Sequence, residues 1–258
     1  MLTLFFLGFV FMLATVALSL LSYAVARRLG GKEQASDTKD LAGSVIFRVS
    51  ALHGLILALV FAQEMVEYQQ LDTEVARETN AIADLFFDME RYGPGKDPAV
   101  QVALKDYVDI VIDKEWQELG DTGRLDSTAW LRWEDAYQGV LDLNPATPRE
   151  ESLRTHMLDR IHNIGETRDM RENHAANTIQ GMFWFAAIAG VILISVGYHT
   201  FPPRRHNIVL LSIFSAFTGL ILFFIYSFSN PYSDPGALRP LAYERLSAEL
   251  KVALDGGS

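Results

Sequence analysis

Apolar and polar positions are sharply segregated along this chain. Runs without Asp, Glu, Lys or Arg occupy residues 2–26, 180–200 and 207–229. Each matches the roughly 20 residues that a helix needs to cross about 30 Å of hydrocarbon. A fourth run, 45–63, is apolar in the middle and polar at its ends: Arg48 and His53 lie on the way in, Gln63, Glu64 and Glu67 on the way out. Between the second and third runs the pattern changes to a helical stripe. Tyr68, Leu71, Val75, Ile82, Phe86 and Met89 recur at steps of three, four or seven, the spacing of one face of an amphipathic helix. No Gly or Pro falls between residues 55 and 92, so the second span is expected to continue unbroken into this stripe.

Further helices follow. "GPGKDP" (93–98) is a breaker, with two prolines and two glycines. Leu104, Tyr107, Val111, Trp116 and Leu119 mark the inner side of the next helix, which "GDTG" ends. Asp126, Ser127 and Thr128 supply N-cap chemistry for a shorter helix with two tryptophans. After "NPATP", a last helix shows Leu153, Met157, Ile161 and Ile164 on one face and is expected to run into the third span. The predicted fold is all-α, a four-transmembrane-helix protein with a helical extramembrane insert between the second and third spans. Its expected parts are a first membrane hairpin (1–63), an acidic helical domain (64–180), a second hairpin (181–229) and a tail with a short helix (230–258). There is no internal repeat.

Charge then suggests an orientation. Arg27, Arg28, Lys32 and Lys39 lie between the first two spans, and Arg204, Arg205 and His206 between the last two. Short basic loops face the cytoplasm, so the acidic domain and both termini are expected outside an inner membrane. The basic residues follow the first run instead of preceding it, so that run reads as an uncleaved helix. Residues 64–180 hold 25 Asp and Glu against 12 Lys and Arg. Such a block argues against nucleic acid as a partner, and it would gather cations near a pore mouth. The chain has no cysteine, which excludes disulfides, thiol catalysis and Cys-based metal sites.

The candidate chemistry lies where ionisable residues fall on core stripes. The stripe of the last insert helix, carried past Ile164, meets Arg168, Arg171 and Ala175. On the extended second helix, Glu67, Leu71, Glu74, Glu78 and Leu85 make a partly acidic stripe. Glu78, with Glu74, is therefore expected to pair with Arg168 or Arg171 just outside the membrane, where bidentate Arg–carboxylate geometry suits a partly buried place. Asp159, His162 and Glu166 share one helical face, half of a carboxylate-bridged metal site. The matching Glu-x-x-His is absent, so a solvated face is expected, with no metal and no cofactor. No nucleophile elbow, zinc-protease motif or phosphate-cradling loop occurs, and an enzyme is not expected.

In the second span, Arg48 lies near the predicted boundary and can snorkel to the headgroups. His53 is offset from it by about 140° at 100° per residue, so one of the two can face the bundle. Ionisable groups inside a span are functional candidates. Ser44, Arg48, His53, Gln63 and Glu64 are the candidate pore-lining residues. Small residues on the later spans, Ala186 and Gly190, Ser215 and Gly219, permit close helix contact.

The stretch from Arg48 to Gly95, with its "ETNAI" core (Glu78–Ile82), resembles the opening of the bestrophin-like bacterial domain family. "RDMRENHAANTIQGMFWF" is similar to that family's arginine-bearing helix, Arg168 and Arg171 matching, and "SNPYSDPGALRPLAYERL" to its Pro–Gly tail, here Pro231, Pro235 and Gly236. The resemblance covers about residues 43–250. Thr79 stands where the family more often has Ala, which tightens packing there. Kinship to bestrophins implies a homo-oligomeric channel for small ions, pentameric by analogy and lined by its second helix. Bestrophins place their bulk on the cytosolic side, opposite to what the basic loops here suggest, and no aromatic neck motif carries over. The expected function is an ion channel or pore, with Arg48 favouring anions and the acidic insert favouring cations. The alternative is a non-conducting membrane sensor or assembly module whose acidic domain binds a partner.

Overall fold

The computed structural model describes residues 2–30, 36–93, 98–176, 179 and 181–256. Nine α-helices account for most of them: α1 (Leu2–Leu29), α2 (Ser36–Tyr92), α3 (Ala99–Ile110), α4 (Trp116–Thr122), α5 (Ser127–Leu141), α6 (Pro148–Ala176), α7 (Gly181–Gly197), α8 (Arg205–Phe228) and α9 (Leu241–Gly256). A π turn, Val111–Glu115, joins α3 to α4, and no strand occurs among the described residues. Among the described residues, four helical stretches are long and apolar enough to cross a membrane: α1, α2, one that contains α7, and α8. The chain divides into two compact units. Unit 1 comprises Met1–Val66 and Ile179–Ser229, and unit 2 comprises Glu67–Thr178 and Asn230–Ser258.

Small residues build unit 1. A Cβ on Gly219 would lie 2.8 Å from the Phe11 carbonyl oxygen and 2.9 Å from Met12 Cα, so α8 packs backbone-to-backbone on α1. Ser19 and Ser195 hydroxyls, 2.7 Å apart, join α1 to α7. Each hydrogen bond of this kind gives polar side chains a partner in an apolar surrounding. On α2, Ile46 packs against Gly197 and His53 against Gly190 of α7.

Unit 2 has a separate core. The α2 stripe buries Leu71, Val75, Ile82, Phe86 and Met89. Leu104, Tyr107 and Val111, Trp133, and Met157, Ile161 and Ile164 meet it from α3 and the π turn, α5 and α6. Tyr232, Tyr243, Leu246 and Leu250 bring the tail into the same core. α2 extends without interruption to Tyr92; most of the "GPGKDP" breaker, residues 94–97, lies outside the described residues, as does Lys32. The expected continuity of α6 into α7 also falls on residues that are not described, 177, 178 and 180. Asp126 caps α5, its carboxylate accepting from the amides of Thr128 and Ala129, while Gly123 ends α4 in the left-handed region at φ 69°, where a residue without Cβ is favoured.

Candidate functional site

Two groups of polar residues stand out, one in each unit. In unit 1, Ser44, Arg48 and Gln63 are exposed on α2, and Glu64 is half-buried. At 3.6 residues per turn they lie about 0°, 40°, 100° and 200° around the helix from Ser44. His53 falls at about 180° and is only 5% exposed. It is turned onto α7, where a Cβ on Gly190 would run into its ring at Nδ1, and its Nε2 has no hydrogen-bond partner among the described residues. The structure therefore sets His53 apart from Ser44, Arg48 and Gln63.

In unit 2 the periodicity that carries Arg168 and Arg171 onto the core stripe of α6 leads to a buried ion cluster. The Arg171 and Glu78 side chains are both 0% exposed, with Nε 3.0 Å from Oε2. Arg171 Nη2 donates to Glu78 Oε1 at 3.2 Å, completing a bidentate pair. It also lies 2.9 Å from Glu115 Oε1. Tyr107 donates its hydroxyl to Glu78 Oε1 at 2.6 Å and accepts from Arg171 Nη2 at 3.1 Å. Arg168 takes a different carboxylate: its Nη2 donates to Glu115 Oε2 and to the Asp126 carbonyl, both at 2.7 Å. The Asp126 amide in turn donates to Glu115 Oε2 at 3.0 Å, which ties the start of α5 to the cluster. Glu74 meets neither arginine; its Oε2 is 3.1 Å from His174 Nε2, and Gln70 donates to its Oε1 at 2.9 Å.

Glu115 is the member that sequence periodicity missed. It sits in the π turn, where the Trp116 amide bonds to the Val111 carbonyl, an i→i+5 step that keeps both Glu115 and Trp116 buried. The five-residue step from Val111 to Trp116 among the inner positions of that stretch was its trace in the sequence. Aromatic rings close the cluster. Arg171 lies over the Tyr243 ring at 5.5 Å and Arg168 over that of Trp130 at 5.6 Å, cation–π geometry. Tyr232 donates to the Arg171 carbonyl at 3.0 Å, and Trp116 Nε1 to that of Leu238 at 2.9 Å.

Buried phenols so close to carboxylates resist ionisation. Burial pushes Tyr107 well above its usual range, the Glu78 charge pushes it further, and Arg171 opposes both. Burial likewise raises Tyr243, against Arg171 and with Glu78, and raises Tyr232, again against Arg171 and with Glu78. A closed, charge-balanced cluster of this kind joins α2, α3, the π turn, α5, α6 and the tail. Asp159, His162 and Glu166, in contrast, are all exposed, and no set of three His, Asp or Glu side chains among the described residues is placed to hold a metal ion. The His162 ring instead packs on Tyr137, 5.5 Å between centroids.

A family model described as the bestrophin-like domain matches residues 13–243. This chain belongs to the bestrophin-like family. Its fold is similar to that of a bacterial bestrophin homologue from Klebsiella pneumoniae in a point-mutant form, with a TM-score of 0.69 and 10% identity over 95% of this chain and 99% of that one. A second mutant of the Klebsiella pneumoniae homologue gives 0.64 and 12%, covering 96% and 98%. A solved structure described as a membrane protein gives 0.70 and 10%, covering 96% and 98%. At these identities the bestrophin-like likeness is one of fold. No curated protein matches the chain.

Proposed function

We propose that this bestrophin-like protein is a homo-oligomeric ion channel of an inner membrane, with α2 lining the conduit through Ser44, Arg48 and Gln63, while Glu64, about 200° around the helix from Ser44, falls on the side of His53. The observation that carries the reading is the exposure of Ser44, Arg48 and Gln63 within about 100° of one helix, in a chain of the bestrophin-like family. A water-filled path shared between copies would solvate Arg48 and Gln63 together, near the two ends of the 45–63 run. His53 serves in this reading as a contact between α2 and α7. The helices of residues 64–180 form an extramembrane vestibule, held by the Glu78–Arg171 and Glu115–Arg168 pairs, and the basic loops support an orientation with this domain and both termini outside the cytoplasm.

Planar-bilayer recording of the purified protein tests the proposal. Discrete currents are expected, and Arg48→Glu should move the reversal potential in a salt gradient toward cation selectivity. A protein that forms no ring and passes no ions at any potential would instead support the non-conducting sensor reading. Labelling of a cysteine introduced at Asp121, exposed in α4, only from the cytoplasm would reverse the sidedness.

A further inference from the structure

Conduction along α2 leaves one polar feature of unit 1 unused. The connection between α7 and α8 is stitched to the end of α1. Arg27 Nη1 donates to the carbonyls of His199 at 3.3 Å and Phe201 at 3.1 Å, and the Tyr23 hydroxyl donates to the Phe201 carbonyl at 3.0 Å. Gly30 is so close to His199 that a Cβ would lie 2.9 Å from its Nε2. These contacts fix the scaffold from which the next cations project, and they occupy Arg27.

Arg28, Arg204 and Arg205 are exposed at the same end of the unit, and none has an ion-pair or hydrogen-bond partner for its side chain among the described residues. Asp40, exposed on α2, does not pair with them. Arg28, in the last turn of α1, complements the negative end of that helix dipole. The same physics runs against Arg204 and Arg205. They are the N-cap and first residue of α8, with no side-chain capping bond and no acidic residue in the first turn, so their charge opposes the helix they begin. Helix stability does not account for them, and an external anion would.

The neighbouring surface narrows the kind of anion. Leu29, beside Arg28, is 84% exposed, and Val25, Val209 and Leu210 are exposed within about one turn of the arginines. A free anion or a nucleic acid has no use for an apolar collar. A phospholipid supplies both halves, phosphate for the guanidinium groups and acyl chain for the collar. We propose that Arg28, Arg204 and Arg205 form a headgroup site for acidic phospholipids, with the acyl chains lying along Val25, Leu29, Val209 and Leu210. This rests on the reading that unit 1 spans a bilayer, and it does not require that the protein conduct.

Native mass spectrometry of the full chain in non-ionic detergent, with phosphatidylglycerol or phosphatidylcholine added, tests the site. Phosphatidylglycerol should be retained in preference. Each arginine near a charged headgroup contributes about a fivefold preference, so R28A/R204A/R205A should lower retention on the order of 10²-fold. R28K/R204K/R205K should keep most of it, and R132A, on the exposed Arg132–Asp135 pair, should leave it unchanged. Equal retention of the two lipids by the wild type, or full retention by the alanine variant, overturns the proposal. Displacement of the lipid by excess inorganic phosphate overturns it in favour of a free-anion site. If the alanine variant does not stay monodisperse, the wild type decides, since a preference unchanged in molar salt has no charge basis. Bilayer currents from the same preparations separate the two readings: silent protein that still selects phosphatidylglycerol refutes the channel alone.

Discussion

Arg171→Met is the most informative single perturbation of unit 2. Met fills the space of the arginine stem as far as Nε and carries no charge. Glu78, with 0% of its side chain exposed, would then keep only the Tyr107 hydroxyl at 2.6 Å, while Glu115 keeps Arg168 and the Asp126 amide. One carboxylate is stranded in the core and one is not. Removing one partner of a buried pair costs about 3–5 kcal/mol. At about 2–4 °C per kcal/mol for a domain of this size, the melting temperature should fall by about 6–20 °C. The double variant Glu78→Gln/Arg171→Met removes the stranded charge, leaves Gln able to accept from Tyr107, and should recover about 1–3 kcal/mol relative to additivity. Intrinsic fluorescence during heating of the full chain in detergent reads the transition, because Trp116 packs edge-on to Tyr232, 5.0 Å between centroids, beside the cluster. An Arg171→Met melting temperature within about 2 °C of wild type would refute the stranded-charge reasoning. So would a double variant whose loss equals the sum of the two single losses.

Two further outcomes follow from named contacts. Tyr107, Tyr232 and Tyr243 are held neutral in the fold by burial, so their folded pKa values lie above the unfolded value of about 10. Their contribution is complete below pH ~10 and is lost as pH rises toward the folded values, by about 4 kcal/mol per pH unit for the three together. Alkaline titration at the phenolate absorbance should show these phenols ionising only with loss of the unit 2 fold; smooth early ionisation of all nine tyrosines would contradict it. In unit 1, Gly219→Ala should destabilise by about 1–3 kcal/mol, because the new Cβ meets the α1 backbone at 2.8 Å. The nearest atoms to a new Cβ at Gly190 are those of the His53 ring, so His53→Ala/Gly190→Ala should melt above Gly190→Ala, and equal melting points would contradict the packing described for α2.

The helical frame was legible because it rests on period and length. Leu71, Val75, Ile82 and Phe86 on α2, and Met157, Ile161 and Ile164 on α6, are buried where a 3.6-residue stripe places them. The same stripe carried Arg168 and Arg171 inward and so exposed the charge cluster to sequence reasoning. Periodicity gives the angle between residues of one helix, however, and says nothing about the residue opposite. Hence Arg168 lies on Glu115, and Glu74 on His174. The offset between Arg48 and His53 was readable, but which of them turns onto α7 depends on Gly190, a long-range contact. Tyr232 and Tyr243 gave no local signal either, since the tail reaches the cluster through packing that neither spacing nor capping encodes.

The π turn at Val111–Glu115 also constrains chain length. One residue added to an ordinary α-helix swings everything beyond it by about 100° and advances it by about 1.5 Å. Here the surplus residue is absorbed within a single wide turn, so a carboxylate and an indole at consecutive positions, Glu115 and Trp116, both look inward. Relatives one residue shorter in this stretch should retain one of the two inward groups and surrender the other to solvent.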